Sequence, residues 1–252
     1  MEEGIAHVIY GRNPLREALH AGVGIDKVFF LLGEPDSTLI ELRNLVKAHH
    51  IPFVFVVKSR LNSIAGTSSH QGVVAKVSLR AYKSIDEILL QSTEKHEPPF
   101  LLACFQLQDP QNLGSLLRTG EAVGIDGIII PQNKSVGLSP AVSKVSSGAD
   151  SYVPVARVTN LYETLLALKE KGMTLIGAHM GGDTHYRTPD YTAPLVIVLG
   201  GEGRGLDRRL LSICDYKVHI PLRGRLNSLN VGVAGALLLY EVLLQRTGKK
   251  NV

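Results

Sequence analysis

Three polar clusters interrupt otherwise apolar stretches of this 252-residue chain, and each has residue types able to do chemistry. The first is Asp109-Pro-Gln-Asn112, followed by Arg118 on an apolar helical run with Leu116, Leu117 and Ala122. Asn112 is placed to cap that helix. A guanidinium in such a run either snorkels at the helix edge or aims its planar fork at an anion such as a phosphate. The second cluster is Leu199-Gly200-Gly201-Glu202-Gly203-Arg-Gly205, with four glycines in six residues directly after an apolar strand pattern. Glycines let a backbone take positive φ and approach a ligand closely, and a tight structural turn is an equally open reading. The cluster lacks the Gly-Lys-Ser/Thr ending of a P-loop and the spacing of a dinucleotide fingerprint. Glu202 would repel a pyrophosphate and suits a cationic ligand better. The third runs His219-Ile220-Pro-Leu222-Arg223-Gly-Arg225-Leu-Asn227-Ser228-Leu229-Asn230. Helix capping uses one of Asn227, Ser228 and Asn230 and does not need all three.

Elements that would position these clusters follow from periodicity. Phe100 to Leu107, Gly127 to Ile130, Thr174 to Ala178, Leu195 to Leu199 and Lys217 to Ile220 read as buried strands. Helices are expected over Leu113 to Val123, from Ser139-Pro140, over Leu161 to Lys171, over Leu206 to Ile213 and over Asn230 to Gln245. Alternating units with apolar strands imply a mostly parallel sheet covered on both faces, and open sheets of this kind bind ligands at the carboxyl ends of their strands. The last helix is apolar almost all round, so burial in the fold and a dimer interface both remain open. Upstream, a helix start at Asn13-Pro14-Leu15 precedes a strand over 28–32, a helix from Ser37 through His49, and strands over 52–57 and 72–77. That order implies a small α/β layer sandwich over residues 5–77. Residues 78–98, with one short amphipathic helix opening at Ser84 and a polar stretch ending in Pro98-Pro99, read as the connection to a larger domain over 99–248.

Bulk properties set bounds. A net charge of +4 is compatible with RNA and not diagnostic of it. Cys104 and Cys214 lack metal-ligand or redox spacing and read as buried reduced thiols, in keeping with a cytoplasmic location. Met1 to His7 holds two acids and no apolar core, so no signal peptide is expected there. Val231 to Leu244 is short of a membrane span and contains Glu241. His179-Met-Gly-Gly-Asp-Thr-His185 fits no metal-ligand spacing, and no metal is expected.

Taken in order, Asn112 with Arg118, Gly200-Gly-Glu202-Gly, and Ile220-Pro-Leu with Asn227-Ser-Leu-Asn230 resemble the three signature motifs of the SpoU/TrmH family of RNA ribose methyltransferases, within the SPOUT superfamily. The match covers residues 100 to 246. Tyr10-Gly-Arg-Asn-Pro14 and His70-Gln-Gly-Val73 resemble the substrate-binding domain of the branch that methylates guanosine in large-subunit (23S) ribosomal RNA. The resemblance implies an α/β fold with a C-terminal trefoil-knotted parallel-sheet methyltransferase domain and a small N-terminal α/β substrate-binding domain. It implies S-adenosyl-L-methionine as cofactor, bent in the knot and lined by Leu199, Gly200, Gly201, Gly203, Ile220, Leu222, Asn227, Ser228 and Leu229. It implies a homodimer, and a 2′-O-methyl transfer by direct in-line displacement, without a metal or a covalent enzyme intermediate. Arg118, Asn112, Glu202, Ser228 and Asn230 would form the catalytic group. Arg12, His70, Gln71, Arg223 and Arg225 are the candidates for RNA contact, the arginines at phosphates and the other two nearer a base. A transfer-RNA ribose methyltransferase and a non-catalytic RNA-binding member of the same fold are the alternatives.

Overall fold

The computed structural model describes residues 8–21, 23–77, 80–95, 97–201, 205–225 and 227–248. Contacts divide the chain into two units, 1–81 with 137–140, and 82–136 with 141–252. Among the described residues no helix is long and apolar enough to cross a membrane.

The smaller unit comprises β1 (Val8–Tyr10), α1 (Arg12–His20), β2 (Ile25–Leu31), α2 (Ser37–Ala48), β3 (Phe53–Val56), α3 (Lys58–Ala65) and β4 (Val73–Val77). Its sheet runs β1-β4-β2-β3, with β2 and β3 parallel and β4 antiparallel to both neighbours. Asp36 starts α2 by accepting from the Leu39 amide at 3.0 Å. Leu39, Leu42 and Val46 then recur at helical spacing and pack with Leu15, Leu19, Val28 and Phe30 in one core. The sequence reading omits β1 and α3. β1 is three residues long, and α3 buries only Leu61 and Ala65 before Gly66 closes it at φ 66°, too weak a stripe to register as periodicity.

The larger unit comprises α4 (Ile85–Glu94), β5 (Phe100–Phe105), α5 (Pro110–Val123), β6 (Gly127–Pro131), α6 (Pro140–Val145, from its second residue on), β7 (Val155–Val158), α7 (Leu161–Glu170), β8 (Thr174–Ala178), β9 (Thr184–His185), β10 (Leu195–Gly200), α8 (Arg208–Ile213), β11 (Tyr216–His219) and α9 (Val231–Arg246). The expected parallel sheet is present. Seven strands run β7-β6-β5-β10-β8-β11-β9, every pairing parallel. Two of these strands, β7 and β9, were not read from sequence. β9 has two residues, and β7 is a four-residue edge strand.

Residues alternate between the sheet faces. Leu101 and Ala103 of β5 and Val196 and Val198 of β10 pack with α7 and α8 through Leu161, Leu165, Leu168, Leu210 and Ile213. Ile88 of α4 joins that core, so the stretch read as a connection carries a helix built into the larger unit. Ser84 and Glu87 start α4 with a capping box. The opposite face takes α9, and Gly235 marks the tightest approach. A Cβ there would stand 2.3 Å from Leu116 Cδ2 of α5 and 2.9 Å from Leu199 Cδ1 of β10. Gly235→Val should therefore cost about 2–3 kcal/mol through overpacking, read as a lowered urea midpoint at unchanged slope.

Candidate active site

Three of the parallel strands, β5, β10 and β11, end at one edge of the sheet in polar loops, and the three sequence clusters lie there. β5 leads into the first. Asp109, not Asn112, caps α5, accepting from the Gln111 amide at 2.8 Å, with Pro110 in the first turn. Asn112 sits inside the helix and is buried. Its Oδ1 accepts from Asn230 Nδ2 at 2.9 Å. Asn230 in turn caps α9, its Oδ1 accepting from Gly232 N at 2.9 Å and Val233 N at 3.3 Å. The first and third clusters thus meet through one amide–amide hydrogen bond. Arg118 lies further along α5, on the exposed face shared with Gln111 and Ser115. Its guanidinium makes no hydrogen bond or ion pair among the described residues. The cation is therefore held out in solvent and is not tied into the fold.

β10 leads into the second cluster. Gly200 pairs in register with Phe105, and Gly201 bridges to Gly205, which has φ 63°. The loop doubles back at once, so a Cβ on Gly200 would fall 2.0 Å from the Gly205 carbonyl carbon. A Cβ on Gly201 would fall 2.3 Å from the backbone oxygen of Gln106, itself at φ 54°. Only glycine fits either position. Glu202 and Gly203 lie outside the described residues. Leu199 is buried, with Gly235 of α9 against it, so only its backbone is available to a ligand.

β11 leads into the third. From Ile220 to Arg225 and from Asn227 to Leu229, no backbone group bonds another described residue. Backbone donors and acceptors need partners, and a loop this rich in free ones can hold a ligand by its main chain. Ile220 is half-buried, while Leu222, Asn227, Ser228 and Leu229 are exposed. His219, at the root of the loop, has a buried Nδ1 with no partner among the described residues. A ligand held by backbone groups with an acceptor or donor near the strand end fits this arrangement. Gln106 was not singled out by the sequence reading, and His219 entered it only as the first residue of the third cluster, with no role assigned. The backing of Gly201 by Gln106 depends on a strand pairing that local pattern does not reveal.

The SpoU rRNA Methylase family matches residues 99–240. The chain belongs to that family. A second family, RNA 2′-O ribose methyltransferase substrate binding, matches residues 8–83. A TrmH family tRNA/rRNA methyltransferase of Bacillus subtilis is 37% identical over 238 residues, 94% of this chain and 95% of its own. One from Staphylococcus aureus is 40% identical over 239 residues, 95% and 96% of the two chains. Among solved structures, the SpoU methyltransferase AviRb of Streptomyces viridochromogenes, in complex with AdoMet, shares the fold at TM-score 0.61 and 23% identity, covering 95% of this chain and 90% of that one. An AdoMet-bound rRNA methyltransferase from Sinorhizobium meliloti aligns at TM-score 0.58 and 25% identity, over 93% and 85%.

As a SpoU methylase the chain is an RNA methyltransferase, and its expected RNA contacts divide into two groups. Arg223 and Arg225 are exposed in the larger unit and pair with nothing among the described residues. In the smaller unit the three candidates are tied into the fold. Arg12 donates from Nη2 to Asp36 at 2.6 Å and from Nε to the Gln71 carbonyl at 3.1 Å, while Gln71 Oε1 accepts from the Arg12 amide at 3.0 Å. His70, expected nearer a base, is buried. Its Nδ1 accepts from Gly72 N at 3.0 Å and its Nε2 meets Asn62 Oδ1 at 2.8 Å. Both ring nitrogens are used within the chain, so this histidine holds the turn into β4. The cysteines are buried, as expected. Cys104 and Cys214 form no disulfide, the Cys214 thiol donates to the Leu210 carbonyl at 3.2 Å, and burial pushes the two thiols up to about 12 and about 11. Among the described residues no three His, Cys, Asp or Glu side chains cluster to hold a metal.

Two outcomes follow. Asn230→Ala should lower stability by about 1–2 kcal/mol through the lost cap, and a cycle with Asn112→Ala should return a coupling of about 0.5–1.5 kcal/mol in urea unfolding. Burial, with Lys58 adding to it, lowers the His70 pKa below its ordinary value of 6.5. The native state then binds fewer protons than the unfolded chain, so the stability linked to His70 is present above the unfolded value and lost as pH falls through the folded one. Between about pH 7.5 and about pH 5 the protein should lose more stability than its His70→Gln variant in parallel unfolding curves.

Proposed function

We propose that this chain transfers a methyl group from S-adenosyl-L-methionine to a ribose 2′-hydroxyl of RNA, at a guanosine of 23S ribosomal RNA. The observation that carries the reading is the Asn230–Asn112 hydrogen bond, which joins the first and third motifs beside the glycine loop at one edge of the sheet. The match of residues 8–83 to a ribose methyltransferase substrate-binding family supports RNA and the 2′-hydroxyl. It also supports division of labour between an RNA-binding domain near 5–77 and a methyltransferase domain near 99–248. The relatives named for both transfer and ribosomal RNA keep a transfer-RNA substrate as the second reading.

The backbone of 220–225 and 227–229 and the Gly200–Gly201 turn would hold S-adenosylmethionine, which when bound supplies an electrophilic methyl on a sulfonium. The trefoil knot implied by family resemblance belongs to this proposal. The strand order, with β10 between β5 and β8 and β11 beyond β8, accords with it. Transfer to the 2′-oxygen would release the demethylated thioether as leaving group and pass the hydroxyl proton to solvent. Arg118 is a poor base, since a free guanidinium holds its proton above about pH 12. Its exposed fork is suited to clamping the phosphate beside the ribose and stabilising the oxyanion as it forms. Asn112 is held by Asn230, and the pair with Ser228 would orient the ribose. Glu202 would complete the loop from outside the described residues. Arg223 and Arg225 would take further phosphates. A homodimer is supported by Val233, Leu237, Tyr240 and Leu244, an apolar stripe on α9 exposed at helical spacing. A cytoplasmic protein fits the RNA substrate and the reduced cysteines.

Purified protein should bind S-adenosylmethionine and place its labelled methyl on a ribose of RNA isolated from cells lacking the enzyme. Label found on a base would reject the assignment. Arg118→Ala should lower transfer by about a hundredfold or more while calorimetry shows cofactor affinity nearly unchanged; equal loss of both would remove Arg118 from the chemistry.

A further inference from the structure

The strand-end edge of the larger unit has a second half that the three motifs do not use. On the β5, β6 and β7 side lies an open cleft of about 240 Å³, lined by Phe105, Gln106, Lys134, Asn160, Tyr162 and Arg209 among others. The Arg209 guanidinium lies over the Tyr162 ring at 3.9 Å from the centroid, and Glu163 accepts from Arg209 at 3.4 Å. Lys134 is exposed and held at φ 58°. Asp207 also lines the cleft, but one of its oxygens is already committed to the Leu210 amide at 2.8 Å. A second cleft of about 380 Å³ shares Thr159 and Asn160 with the first and continues along the edge past Lys83 and Arg157. There the Arg157 guanidinium stands 5.3 Å from the Tyr82 ring centroid.

We infer that these two joined clefts are a track for single-stranded RNA flanking the nucleotide to be methylated. The inference rests on the RNA reading proposed above. Arg209 on Tyr162 and Arg157 beside Tyr82, with Lys134 and with Lys83, which also faces Glu87 at 3.8 Å, outnumber the acids Asp207 and Glu163 in the lining and match the chemistry of unpaired RNA, in which bases stack on flat side chains and phosphates meet cations. The placement fits as well. Gln106 lines the first cleft with its residue and backs Gly201 with its carbonyl oxygen. One wall therefore separates the track from the loop assigned to the cofactor. Parallel strands send both halves to the same edge, so an RNA strand in the track lies on the side where the ribose must be presented.

The test compares wild type with Lys134→Glu/Arg209→Glu and with Tyr162→Leu, using 23S and transfer RNA from a strain lacking the enzyme as acceptors. All three positions sit at the surface or its margin, and thermal unfolding checks that the variants fold. The charge reversal should raise KM for RNA about tenfold or more, and lower the slope of log affinity against log salt by about 0.7 for each cation lost. Tyr162→Leu should give a smaller rise and no change in slope. In both variants kcat should stay within about threefold and cofactor affinity should not move. An unchanged KM and salt slope overturns the inference. So does a loss that falls on kcat or on cofactor binding, which would make the cleft part of the cofactor site. Wild type that binds S-adenosylmethionine yet methylates neither RNA overturns the underlying reading instead, and does so without any variant.

Discussion

The hydrogen bond between Asn112 and Asn230 is the constraint on which the rest of the site depends. Asn112 is buried, and a buried amide without partners would cost several kcal/mol. Asn230 supplies one partner from across the fold and satisfies its own oxygen on the amides of Gly232 and Val233 in the first turn of α9. The start of α9 is therefore positioned by the interior of α5, not by a local turn. That registration requires the helices to lie close together, and Gly235 permits it by leaving no side chain against Leu116 and Leu199. A glycine inside a helix costs up to about 1 kcal/mol in propensity. Close packing of α9 on the sheet is the return.

The same economy of space shapes the glycine loop. β5 and β10 pair in register to Gly200–Phe105, so the turns after the two strands collide unless one lacks side chains. Gly200 and Gly201 resolve the collision, and Gln106 takes a left-handed conformation to pass them. The outcome is a thin backbone partition across the strand-end edge. One side carries the loops with free main-chain groups, and the other carries the cleft with Tyr162 and Arg209.

In the smaller unit, residue types that look available for RNA are used to hold one turn. Gln71 adopts φ 52° ahead of Gly72 at φ 83°, a backbone that the Arg12 contacts and the buried His70 ring keep in place. Surface ion pairs such as Arg12–Asp36 contribute little by themselves. Here the pair comes with two hydrogen bonds to the same turn, so it fixes geometry more than it adds stability. If this unit reads RNA, it does so with the surface the turn supports.

Sequence alone determined the elements whose signal is local. The apolar strands β5, β6, β8 and β10, the ends of α5 and α7 to within a residue, the stripe of α2 and the start of α9 were all legible, because burial repeats along the chain with the period of each element. The three motifs were legible for a related reason: clustered polar residues beside apolar runs stand out without any knowledge of their partners. The short strands β7 and β9 and the weakly striped α3 did not stand out, since their burial comes from neighbours distant in sequence. Only the tertiary structure decided which polar residues serve the fold and which remain free. Asn112 looked like a cap and instead meets a residue 118 positions away. His70 looked like a base reader and is buried. Arg118 read either as snorkelling at the helix edge or as aimed at an anion, and its guanidinium is exposed with no partner among the described residues. These distinctions rest on desolvation and on partners brought together by folding, and no pattern along the chain encodes either.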